Sequence, residues 1–211
     1  GALNEFRRVF ELNPGHSEAM DRYARLLMEQ RKAREAAEVL NRLVEVQPEA
    51  GQASRDQILS EYKERIEADP TDWTTRFVYG EVCYFLDRVE DAVEQFQKTR
   101  SDRDHELRSY NMLGLAFARN PRFGLDLAVR QFRRGLETKG HAEQDYLELR
   151  YNLAMLLYKN RRFQESLTEL KDILAVDVAY RDVGEWVRLL QEEIAGGTSG
   201  KPPRLPPRRG L

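Results

Sequence analysis

The sequence predicts an all-α chain built as a solenoid of helix-turn-helix repeats, and two observations carry that prediction. Gly80 and Gly114 lie 34 residues apart, and Tyr79/Leu113, Cys83/Phe117 and Val89/Phe123 keep the same separation. Within each period the apolar positions recur at helical spacing, twice, around a short break. Repeats of this length cannot bury an apolar face alone, so each must stack on its neighbours, and function is sought on a surface.

The first of the two copies places Arg76, Tyr79, Gly80 and Cys83 on one side of a helix, breaks at Leu86-Asp87-Arg88, and resumes with Ala92, Val93, Phe96 and Thr99. Gly80 faces the second helix, where a larger side chain would force the pair apart. The second copy reads Tyr110, Leu113, Gly114 and Phe117, then Phe123, Ala128, Val129, Phe132 and Gly135, with Gly124-Leu125 as a lengthened turn. A third reads Arg150, Leu153, Ala154 and Leu157, then Phe163, Ser166, Leu167, Leu170 and Ile173. An earlier one reads Met20, Tyr23, Ala24 and Leu27, then Ala33, Ala36, Leu40 and Leu43, with Ser17 placed to cap its first helix. These size-constrained positions resemble the tetratricopeptide repeat, which implies a right-handed superhelix with a concave groove.

Around these copies the chain divides into five stretches. Residues 1–50 hold a partial and one full repeat. Phe6, Val9 and Phe10 before Asn13-Pro14 read as a second helix whose partner would precede residue 1, so the sequence reads as a fragment. The period fails over 51–70, where Tyr62 and Ile66 stand before Pro70 as Leu40 and Val44 stand before Pro48. Residues 53–68 therefore read as one extra helix. It marks either a discontinuity between two arrays or a divergent linker helix. Residues 71–177 hold three repeats, and 178–195 an amphipathic capping helix with Val183, Trp186, Val187 and Leu190, where Trp186 reads as core. Residues 196–211 combine a glycine-rich linker with a basic tail that should favour polyproline geometry. Its Pro203-x-x-Pro206-x-Arg208 resembles ligands of SH3 domains.

Composition narrows the function. Lys+Arg 34 against Asp+Glu 36 gives a net charge of -2, and setting aside the four cations of the tail leaves -6 on the rest, which offers no electrostatic case for nucleic acid. No apolar run suits a membrane span or signal peptide, so the cytoplasm is the default compartment. His16, His105 and His141 lack partners at metal-ligand spacing, and no glycine-rich phosphate loop follows a strand, so no metal, cofactor or catalytic residue is expected. Cys83, the single cysteine, reads as a small core side chain.

By the resemblance, first-helix residues three before, one after and four after the small position line the groove. They are Phe77, Glu81 and Tyr84, then Asn111, Leu115 and Ala118, then Tyr151, Met155 and Tyr158, with Arg108, Arg119 and Lys159 at the edges. Family members that clamp a C-terminal carboxylate do so with lysine and asparagine. Here Asp21 and Glu148 stand near cation positions, against that specialised clamp. The implied function is a non-catalytic scaffold binding a partner's peptide. Two alternatives are a self-assembling structural protein and an adaptor recognised through its proline-rich tail. The tail's charge also suits docking on the protein's own groove or on another copy.

Overall fold

A computed structural model describes residues 16–120, 122 and 124–196, together with Arg8 and Leu12. The regular structure of the described residues is helical, without a strand, and the chain divides into two compact units, Gly1–Met112 and Leu113–Leu211. Phe6, Phe10, Phe123 and the tail residues Pro203, Pro206 and Arg208 lie outside the described residues.

Unit 1 contains α1 (Ser17–Glu29), α2 (Ala33–Val46), α3 (Pro48–Ala68), α4 (Trp73–Phe85), α5 (Val89–Thr99) and the start of α6 (Glu106–Arg119). His16, rather than Ser17, caps α1: its Nδ1 accepts from the Ala19 N–H at 3.2 Å, and Ser17 is already helical. The α1–α2 turn is closed by Lys32 N–H donating to the Leu27 carbonyl, with Arg31 at φ 60. Asp87 (φ 64) closes the α4–α5 turn in the same manner, through Arg88 N–H to the Cys83 carbonyl. Such a turn satisfies carbonyls left open at a helix end, but it needs one residue in the left-handed region.

The extra helix starts earlier than 53. Pro48 is its first residue, because a proline's fixed φ suits the first helical turn and its missing N–H would have no partner there. Gly51 does not break it: a Cβ at Gly51 would lie 2.5 Å from Val44 N, so the missing side chain is what lets α3 meet the backbone of α2. Helix α3 also packs on α1 and α4, while α4 rests directly on α2. Ser54 of α3 donates to Asp21 of α1, and Arg25 of α1 pairs with Glu61 of α3.

The α4–α5 hairpin is assembled as the repeat pattern requires. A Cβ at Gly80 would come within 2.9 Å of Phe96 Cε1, and Tyr79, Cys83, Ala92 and Phe96 are buried around it. Asp72 caps α4, accepting from Thr75 N–H at 2.9 Å. The buried Arg76 donates to Gln95 at 3.0 Å and to the Pro70 carbonyl at 3.2 Å.

Unit 2 contains the end of α6, then α7 (Leu125–Glu137), a 3-10 turn (Glu143–Tyr146), α8 (Leu147–Lys159), α9 (Phe163–Val176) and α10 (Val183–Gly196). A Cβ at Gly114 would meet the Phe132 ring at 2.5 Å. The lengthened turn reaches Gly124 at φ 74, just before α7 begins at Leu125. Arg161 (φ 61) makes the same left-handed turn between α8 and α9. Val183, Trp186 and Leu190 of α10 close the core formed by Ala154, Tyr158, Leu170 and Ile173, so α10 covers the last repeat and Trp186 is core as expected.

Candidate functional site

The first-helix face of unit 1 brings together three of the residues singled out in the sequence, Phe77, Glu81 and Arg108. Phe77 is only 1% exposed, with its ring centre 5.4 Å from that of Phe96 and equally far from that of His105. It is a packing residue whose outer side is roofed by the Arg108 guanidinium, 4.3 Å from the ring centre. Arg108 Nη2 also reaches Glu81 Oε1 at 3.2 Å; the arginine side chain is 60% exposed and the glutamate 15%. Tyr84 is half-buried, edge-on to Phe85 at 5.2 Å, and Arg34 lies over the other aromatic at 5.1 Å. Asn111 is half-buried on α6. The product is an exposed cation held over an aromatic ring, beside a carboxylate.

In unit 2 the groove positions of the last repeat face α10. Tyr158 is 7% exposed and packs edge-on to Trp186 at 4.8 Å, and Met155 rests against the same core. The Tyr151 hydroxyl donates to Asp182 Oδ1 at 3.0 Å, while Trp186 Nε1 donates to Asp182 Oδ2 at 2.9 Å. Burial, with the Asp182 carboxylate beside it, pushes the Tyr151 hydroxyl up to about 12. Leu115 is half-buried, whereas Ala118, Arg119 and Lys159 are exposed.

Other chemistry is scarce. Burial pushes the Cys83 thiol up to about 12, so it stays protonated and packs as an apolar group. Among the described residues no group of three or more His, Cys, Asp or Glu side chains converges on a point that would hold a metal ion. No described helix is long and apolar enough to cross a membrane.

One set of polar links was missed in the sequence although its signal is there. Arg76 bonds Gln95 and Arg150 bonds Glu169, in each case across 19 residues and at the same two repeat positions. Met20 and Val39 fill those positions in the first repeat with an apolar pair.

A tetratricopeptide repeat family model matches residues 1–58. That match spans 58 of the 211 residues. Among solved structures it is similar to the crystal structure of MamA, at 14% identity and a TM-score of 0.46, covering 93% of this chain and 90% of that one. No curated protein matches the sequence. Tetratricopeptide repeats are in general scaffolds for protein–protein interaction.

Proposed function

We infer that the tetratricopeptide repeat pattern runs the length of the helical array, and that the protein is a non-catalytic scaffold holding a peptide segment of a partner protein on first-helix surfaces of its repeats. In unit 1 the contact residues are Glu81, Tyr84 and Arg108, with Asn111 further along α6. In unit 2 the exposed Arg119 and Lys159, with Leu115, form a separate contact surface. Phe77, Tyr151, Met155 and Tyr158 act from behind, as packing that fixes the helices presenting these side chains.

The observation that supports this reading best is Arg108. Its guanidinium lies over Phe77, 4.3 Å from the ring centre, yet the side chain remains 60% exposed. An arginine so placed is oriented before any ligand arrives, and its planar fork suits a carboxylate or a row of peptide carbonyls. Tyr84, one turn beyond Glu81 on α4, offers apolar area together with a hydroxyl, the mixture enriched at binding hot spots. Overlapping peptides of candidate partners, arrayed and probed with wild type, Arg108→Glu and Tyr84→Ala, test the reading. Peptides retained by wild type and lost by both variants are expected. Equal retention by all three proteins would remove unit 1 from the binding surface.

A further inference from the structure

Arg181, in the turn before α10, stands at φ 48, a left-handed conformation disfavoured for a residue with a side chain. Its guanidinium carbon lies 4.7 Å from the centre of the Tyr151 ring and 5.1 Å from that of Tyr180. The two rings meet at 66°, forming two walls of a corner, and Glu148 Oε1 stands 3.8 Å from Arg181 Nη2. Two inclined aromatic faces with a carboxylate alongside make a cage for a guanidinium or ammonium group. The corner is firmly built, because Asp182 accepts from both the Tyr151 hydroxyl and the Trp186 indole. Its surroundings are anionic as well: Glu148, Asp177 and Asp182 act on the two tyrosines against the one cation, Arg181.

We propose that this corner is a cation-binding site of which Arg181 is an exchangeable occupant, and that the competing occupant is Arg204 of the chain's own tail. Charge favours the exchange, since the tail supplies four cations to a body of opposite sign. Reach permits it. Helix α10 has 14 residues and is about 20 Å long, whereas the stretch from Gly196 to Arg204 spans up to about 27 Å when extended. Tethering raises the local concentration of the tail enough to populate even a weak site. The site lies wholly within unit 2, so it stands or falls independently of the peptide contact at Arg108.

The test is paramagnetic relaxation in the full chain, with a nitroxide attached through Pro202→Cys; the native Cys83 is buried and protonated. Amide signals of Tyr180, Arg181 and Asp182 are expected to broaden. Arg181→Gly, which vacates the corner and suits its backbone, should raise the docked population about two- to five-fold. Glu148→Lys and Arg204→Gln should each lower it by a similar factor. Tyr180→Leu removes one wall without touching a charge and should also lower it. Broadening that is absent, indifferent to Arg204→Gln, or found only when labelled and unlabelled chains are mixed would overturn docking within one chain.

Discussion

Arg150 donates to Glu169 at 2.7 Å across 19 residues of sequence, the same link that joins Arg76 to Gln95 at 3.0 Å in the preceding unit. In one repeat the acceptor is charged and in the other neutral, and that difference makes the link testable by pH. Burial is the leading influence on Glu169 and raises its pKa in spite of Arg150. A carboxyl whose folded pKa is raised binds its proton more tightly in the folded state. Its contribution is therefore fully present below the unfolded value and is lost as pH rises through the folded value. Glu169→Gln, which copies Gln95, should gain stability over wild type as pH climbs from about 4 to about 7. Urea melts at the two ends of that range check it, and a gap that stays constant or narrows with rising pH sinks the idea.

Gln131 fills the corresponding position in the Gly114 repeat, buried to 5% exposure, and its Oε1 accepts no hydrogen bond. An unsatisfied buried acceptor costs about 1–3 kcal/mol. Gln131→Met keeps the length and removes the polar atoms, as Val39 does in the first repeat. It is expected to stabilise the protein by about 1 kcal/mol. Chemical denaturation would show it, and a destabilised variant would mean that water satisfies the oxygen.

Three glycines allow helices to touch, and what each faces sets an order of damage. A Cβ at Gly51 meets the backbone of Val44 at 2.5 Å, one at Gly114 meets the Phe132 ring at 2.5 Å, and one at Gly80 meets Phe96 at 2.9 Å. Backbone cannot turn aside and a packed ring turns only with difficulty. Alanine should therefore cost most at Gly51, less at Gly114 and least at Gly80, within about 1–3 kcal/mol for overpacking. Thermal melts of the three variants rank them; Gly51→Ala matching wild type would show that α3 does not rest on α2 as described.

Arg31 and Arg161 each hold a left-handed turn seven residues after the small position of their repeats. That conformation costs a residue with a Cβ about 1–2 kcal/mol, partly offset by the extra freedom glycine has when unfolded. Arg31→Gly and Arg161→Gly should each stabilise by about 0.5–1 kcal/mol. Differential scanning calorimetry is a sufficient measurement. A fall in melting temperature for both would show that the arginine side chains contribute more than the turns lose.

The spacing of Gly80, Gly114, Phe96 and Phe132 was enough to establish the helix pairs and their close contacts, because a helix repeats every 3.6 residues and a face can be read off one strand of sequence. The same reasoning marked Phe77, Tyr151 and Tyr158 as facing away from their helix partners. What covers those faces was not legible. Arg108 stands 31 residues beyond Phe77 and Arg181 stands 30 beyond Tyr151, while Trp186 of α10 meets Tyr158, so the roof over each aromatic comes from the next helix or the turn before it. The start of α3 at Pro48 was likewise hidden: a proline followed by Gly51 reads locally as a break, and what Gly51 is for shows only where it meets the backbone of α2. Periodicity is a local property of the chain and is written in it. Burial and charge pairing are sums over neighbours brought from a repeat away, and only the packed structure decides them.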